Sequence, residues 1–208
     1  MAHNTPLPLH SPTRPVLKGD HYRVGQYRSV WVIAILFSLL PSCKPDNIQN
    51  DVKPKYFDLA GYFKADTAKL RRLNHLTLKT VTHNGASETK KIHIDDWGLE
   101  LSLFIQSDIN KPAWRDSYNI QPRNNGSVVY MAKTPELRTR EIAIARNEDK
   151  SIKWIIIHNA SKNILYQTTE VLTYYPDSLY IINKTQHVRF LGTNKYSIKG
   201  TLINDARR

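Results

Sequence analysis

Apolar residues recur at three- and four-residue spacing in two parts of this chain and at two-residue spacing through most of the stretch after Tyr118. Over 56–73, Tyr56, Leu59, Ala60, Phe63, Thr67 and Leu70 share one face, while Lys64, Asp66, Lys69 and Arg71 take the other. That is the pattern of a helix laid on a core. Asp95 and Asp96 then offer an N-cap to a second helix, whose Trp97, Leu101, Phe104 and Ile105 line one side. It is expected to end near Asp108, before the turn-forming Asn110-Lys111-Pro112, with Trp114 packed under its end.

Between the helices, 76–82 and 87–94 are runs rich in Thr, Leu, Val and Ile, joined by His83-Asn84-Gly85. Asn-Gly supplies the positive φ angles of a tight turn, so the pair reads as a β-hairpin. After Tyr118 the period changes to two. Strands are predicted over 128–132, 138–146, 152–158, 164–172, 179–184, 187–191 and 196–202. Turn chemistry at Thr134-Pro135, 147–149, 159–163, Tyr175-Pro176-Asp177 and Gly192-Thr193-Asn194 separates them. Strands so closely spaced favour an antiparallel meander over crossover units. In 154–157, Trp-Ile-Ile-Ile breaks the alternation and predicts a central strand covered on both faces. The fold class expected is α+β: two helices packed on a strongly curved antiparallel β-sheet, a meander with a half-barrel outline.

The most apolar stretch lies earlier. From Val30 to Leu40 eleven consecutive residues carry no charge, preceded by Arg28 and followed by Pro41-Ser42-Cys43. As a helix they would cover about 16 Å of a hydrocarbon core about 30 Å thick, too little to span it. A positive flank, a short apolar run and small residues before a cut site are the anatomy of a secretory signal peptide. Here the residue after the cut is the chain's one cysteine.

Leu40, Ser42 and Cys43 resemble the lipobox of bacterial lipoproteins cut by signal peptidase II, from which Pro41 departs. The resemblance implies that the Cys43 thiol is alkylated to a thioether and that residues 1–42, a disordered leader plus signal peptide, are removed. A thiolate is the side-chain nucleophile suited to that step. Two or three acyl chains, at about 0.8 kcal/mol per buried methylene, hold a protein at a membrane persistently. Residues 43–55, polar with two prolines, read as the lipidated cysteine and a flexible tether. Residues 56–204 then form a single domain and 205–208 a tail. Lys44 is not the aspartate associated with inner-membrane retention, so the resemblance points to the outer membrane. The phrases ELSLFIQSDINKPAW and LTYYPDSLYIINK also look like a group of uncharacterised lipoproteins of Bacteroidota, a resemblance that brings no activity with it.

Charge modifies this picture only slightly. The chain has 30 Lys and Arg against 18 Asp and Glu; removing 1–42 takes away four basic residues and one acidic, which leaves a net +9. The cations are spread along the chain, with 69–72 and the terminal Arg207-Arg208 the nearest to clusters. Spread charge on an exported domain argues against nucleic acid as a partner. A lone cysteine excludes an intramolecular disulfide and a cysteine-zinc site, and no cofactor is implied.

No catalytic constellation emerges. His75, His83, His93, His158 and His187 fall in different predicted elements, without the paired-histidine spacing of a zinc helix. Asp95-Asp96 has a simpler use as a cap than as an acid-base pair. Three readings remain. The first is a noncatalytic, membrane-anchored envelope module that binds a lipid, glycan or peptide, with Trp97, Phe104, Trp114, Trp154 and Tyr166 as its ligand-contact aromatics. The second is an accessory subunit of an envelope protein assembly. The third is a hydrolase with dispersed catalytic residues. A long apolar cavity between the layers favours the first, a flat apolar patch the second, and a cleft joining His to a carboxylate the third.

Overall fold

A computed structural model describes residues 54–203. The lipobox residues Leu40, Ser42 and Cys43, the leader, most of the tether and the tail lie outside the described residues. Nine antiparallel strands form one open sheet in the order β2-β1-β9-β8-β7-β6-β5-β4-β3. They are β1 (Leu76–His83), β2 (Ala86–His93), β3 (Tyr118–Pro122), β4 (Val128–Ala132), β5 (Thr139–Arg146), β6 (Ile152–Lys162), β7 (Tyr166–Tyr175), β8 (Leu179–Val188) and β9 (Gly192–Ile203). From β3 to β9 the sheet is a meander, and the β1–β2 hairpin joins it when β1 pairs with β9.

Helix α1 (Leu59–Leu73) starts three residues after the expected Tyr56. Asp58 takes the N-cap, its carboxylate accepting from the Gly61 N–H at 2.8 Å. Tyr56 is thereby freed to anchor the entry, donating from its phenol to Arg115 O at 2.7 Å. The second expected helix is two short ones, α2 (Trp97–Glu100) and α3 (Ser102–Ile105), broken at Leu101 with φ −98° and ψ 16°. Gly98 and Ser102 are weak helix formers, and α3 has no side-chain cap, so no strong local preference holds the two together. A single 3-10 turn, Pro112–Trp114, follows.

Helices and sheet meet in one apolar core that includes Leu59, Phe63, Leu70, Trp97, Leu101 and Phe104 from the helices and Ile142, Ile155, Ile157, Leu172, Tyr174 and Tyr180 from the sheet. Two hydrogen bonds cross this seam from buried phenols. Tyr174 donates to Asp66 of α1, and Tyr180 donates to Glu100 Oε1 of α2 at 2.5 Å. Burial, then the neighbouring carboxylate, raises both phenol pKa values far above the tyrosine norm. The Tyr180 ring lies over Gly200, where a Cβ would come 2.1 Å from Cε1, so this position needs a residue without a side chain.

In β6 the apolar run resolves into two faces. Ile155 and Ile157 are fully buried toward the helices, while Trp154 and Ile156 point to the opposite face and are half-buried. The strand is interior to the sheet, flanked by β5 and β7. Several boundaries differ from expectation. Strand β3 is additional; β6 continues through 159–162, expected as a turn; β7 starts at Tyr166 rather than at 164; the expected strand over 187–191 is instead the end of β8 and a turn at 189–191; and the expected turn Gly192-Thr193-Asn194 lies within β9.

Candidate functional site

Strand pairing across β5 to β9 sorts the helix-facing side of the sheet into rows. Ile142, Ile157, Leu172, Ile182 and Ile198 lie directly opposite one another and form an apolar row under the helices. The next row is polar: Thr139, Asn159, Glu170, Lys184 and Tyr196. One step further, Thr168 stands between Ser161 and Gln186. Strand alternation puts every second residue on this face, so the change from Ile157 to Asn159 and from Leu172 to Glu170 marks where the core ends.

The helix layer ends at the same place. Ile105 closes α3, and Ser107 comes down on the sheet, its Oγ accepting from Asn159 Nδ2 at 2.9 Å and its carbonyl from Thr139 Oγ1 at 3.3 Å. Beyond it opens a cleft of about 770 Å³. Ser161, Tyr166, Thr168, Glu170, Lys184 and Gln186 line its sheet side, facing Gln106, Asp108 and Lys111 and a small apolar wall of Ala60, Leu103 and Ile105.

Glu170 is the centre of this site and is 5% exposed. Its Oε2 receives Arg138 Nη2 at 2.6 Å and Asn159 Nδ2 at 3.2 Å, and its Oε1 lies 3.4 Å from Lys184 Nζ. A carboxylate taken out of water requires such partners, and two cations over one anion leave the floor of the cleft with a positive excess. Arg138 also reaches toward Gln106 O at 3.5 Å, a long contact to the end of the helix layer. The Lys184 ammonium, at 3.4 Å from Glu170, its one charged partner among the described residues, keeps donors to spare for a ligand. Among the described residues Asn159 Oδ1 is buried without a hydrogen-bond partner, at a cost of about 1–3 kcal/mol.

The aromatics singled out from sequence fall in different places. Tyr166 lines the cleft, at 39% exposure. Trp114 is half-buried nearby in the chain, with the Lys111 ammonium 4.2 Å from its ring centroid, and Lys111 lines the cleft. Trp97 is buried edge-on to Tyr180, and Phe104 is buried between Phe63 and Tyr174. Trp154 is on the other face of the sheet. The cleft therefore gathers one of the five, and its main polar groups, Arg138, Asn159, Glu170 and Lys184, were not among the expected contacts. One signal was present: a lone Glu in the middle of the apolar alternation of β7.

Among the described residues no histidine lines this cleft. Among the described residues no group of His, Cys, Asp and Glu has the arrangement to hold a metal ion. A scan of protein-family models and comparisons with curated proteins and with solved structures return no match. The ground for a functional reading is thus the geometry of the cleft.

Proposed function

We propose that the chain is a bacterial envelope lipoprotein, acylated at Cys43 and held at the outer membrane, whose folded part is a noncatalytic binding module for an acidic glycan. The single observation that carries the ligand class is the polar row over the cleft floor, in which Glu170 is buried under Arg138 and Lys184 and followed by Ser161, Thr168 and Gln186. Cations placed among neutral hydroxyl and amide groups suit a molecule that carries both hydroxyls and carboxylates. Tyr166 at the rim offers a flat apolar face to a sugar ring.

A lipid ligand fits less well. A lipid tail needs an apolar cavity between the layers, but Phe63 packs there with its ring centroid 5.0 Å from both Phe104 and Tyr174. Hydrolysis needs a carboxylate free to move a proton, while Glu170 is held by three donors and Asp108, the other carboxylate of the lining, accepts from the Asn110 N–H and Nδ2 at 3.2 Å. Strong curvature of the sheet around the helices, as a half-barrel, belongs to the same proposal. Its support is the pair of register shifts between β5 and β6, one that leaves Arg140 of β5 without a partner and one that leaves Lys153 of β6 without one, since bulges bend strands.

The test is a binding screen of acidic and neutral oligosaccharides against the purified protein. Acidic members bind, and Lys184→Gln lowers their affinity by about tenfold, the scale of one charge-assisted hydrogen bond. Equal affinity for neutral members, or no effect of Lys184→Gln, rejects the reading.

A further inference from the structure

Four large apolar side chains stand in water at one end of the sheet: Ile164 at 82% exposure, Leu165 at 66%, Phe190 at 90% and Leu191 at 81%. They occupy the tips of two neighbouring hairpins, β6–β7 and β8–β9, which the Arg189 N–H ties together by donating to Leu165 O at 2.9 Å. Neither tip needs these residues for its shape. Asn163 Oδ1 accepts from the N–H groups of both Leu165 and Tyr166 at 2.8 Å and so fixes the first turn without help from Ile164. In the second, Phe190 sits at φ 71°, a left-handed conformation that costs a non-glycine residue about 1–2 kcal/mol and that Asn or Gly adopts more readily. The Phe190 ring thus faces water from a strained backbone position.

The two hairpins carry charge of one sign near their tips. Residues 159–169 and 185–199 contain no Asp or Glu and carry Lys162, His187, Arg189, Lys195 and Lys199. The Arg189 guanidinium lies 5.1 Å from the Phe190 ring centroid, where it backs the apolar tip with a cation. The β4–β5 loop at the same end carries Glu136, and Asp108 lines the cleft together with Ser161 and Tyr166 of the β6–β7 hairpin. Turns at the other end of the strands carry Glu148, Asp149 and Asp177.

We infer that this end of the sheet is a membrane-docking surface, in which Ile164, Leu165, Phe190 and Leu191 enter the interface of a bilayer containing anionic phospholipid while Lys162, Arg189 and Lys195 meet its headgroups. Apolar side chains projecting from a basic rim are the requirement for interfacial insertion, and each Lys or Arg near an anionic surface adds to it. Docking by two hairpin tips does not depend on the Cys43 lipid or on the ligand of the cleft. It would fix which way the sheet faces the membrane.

Cys43 is the chain's one cysteine, so the experiment uses a full-length Cys43→Ser chain with a polarity-sensitive fluorophore on a single introduced thiol. One sample carries Leu191→Cys at the tip and another Glu148→Cys at the opposite end. Both are mixed with vesicles of phosphatidylcholine with or without phosphatidylglycerol, bearing a quencher in the acyl chains. The tip label brightens and is quenched on the anionic vesicles alone, while the Glu148→Cys label is not. Adding Lys162→Glu with Arg189→Glu lowers the vesicle affinity read at the tip by at least about tenfold. Equal quenching at both positions, no response at the tip, indifference to phosphatidylglycerol, or a tip label buried by self-association before vesicles are added overturns the inference. Because the readout is local to each label, adsorption through the apolar 30–40 segment does not imitate it.

Discussion

Arg138 and Glu170 meet at 2.6 Å on the helix-facing side of the sheet, the carboxylate buried and the arginine side chain one-third exposed. The pair joins two structural jobs, closing the apolar core and opening the cleft. Removing Arg138 strands a buried carboxylate with Lys184 as its remaining cation, whereas removing Lys184 leaves the shorter pairing intact. Arg138→Ala is expected to cost about 1–3 kcal/mol, below the about 3–5 of a fully enclosed pair because water reaches the arginine. Lys184→Ala costs less than Arg138→Ala, and urea denaturation of both variants measures the order.

The Tyr180 ring over Gly200 gives a second expectation. A methyl group at 200 has no space beneath Cε1 and Oη of that ring, which is itself tied to Glu100. Gly200→Ala therefore destabilises by about 1–3 kcal/mol through overpacking. The paired change Gly200→Ala with Tyr180→Leu recovers part of the loss, readable as a non-additive midpoint in thermal unfolding.

Buried phenols set the alkaline limit of the fold. Tyr174 and Tyr180 have pKa values raised by burial and by Asp66 and Glu100, and burial with the neighbouring Tyr56 pushes Tyr118 up to about 12. In the unfolded chain these groups lose their protons near pH 10, so above that value the folded state binds more protons than the unfolded one. Stability is thus fully present below about pH 10 and falls as pH rises beyond it. Tyr174→Phe and Tyr180→Phe each make this decline shallower, while Tyr180→Phe also costs about 1–2 kcal/mol at neutral pH from the lost hydrogen bond to Glu100. Stability curves between neutral and strongly alkaline pH check both.

Acylation makes a separate prediction, chemical in kind. With Cys43 as the acceptor, labelled fatty acid enters the wild-type chain and not Cys43→Ser, and the mature mass begins at residue 43. Label in the Cys43→Ser protein rules out this anchor.

Much of the sheet was legible in the sequence, because its signals are local. Asn84 and Gly85 adopt the positive φ values, 48° and 94°, that the dipeptide implies, and β4 begins and ends at the expected residues. The register that brings β1 onto β9 is not local and left no mark in any one segment. The site itself was disguised by the same polarity that makes it a site. Residues 159–162 look like a turn because Asn, Ser and Lys fill them, yet they are the part of β6 that runs out from under the helices. The true turn of the last hairpin was hidden because Phe190 occupies a conformation usual for Gly or Asn, while Gly192 and Asn194 lie within β9.

Whether the cleft over Glu170 takes an acidic glycan is decided by titrating the isotope-labelled protein with an acidic oligosaccharide and following amide and side-chain chemical shifts. Saturable shifts are expected at Ser161, Tyr166, Thr168, Lys184 and Gln186, weakening with added salt, while Trp154 on the opposite face stays in place. Shifts confined to other surfaces, or none at concentrations that saturate the screen's best binder, refute glycan binding at this cleft.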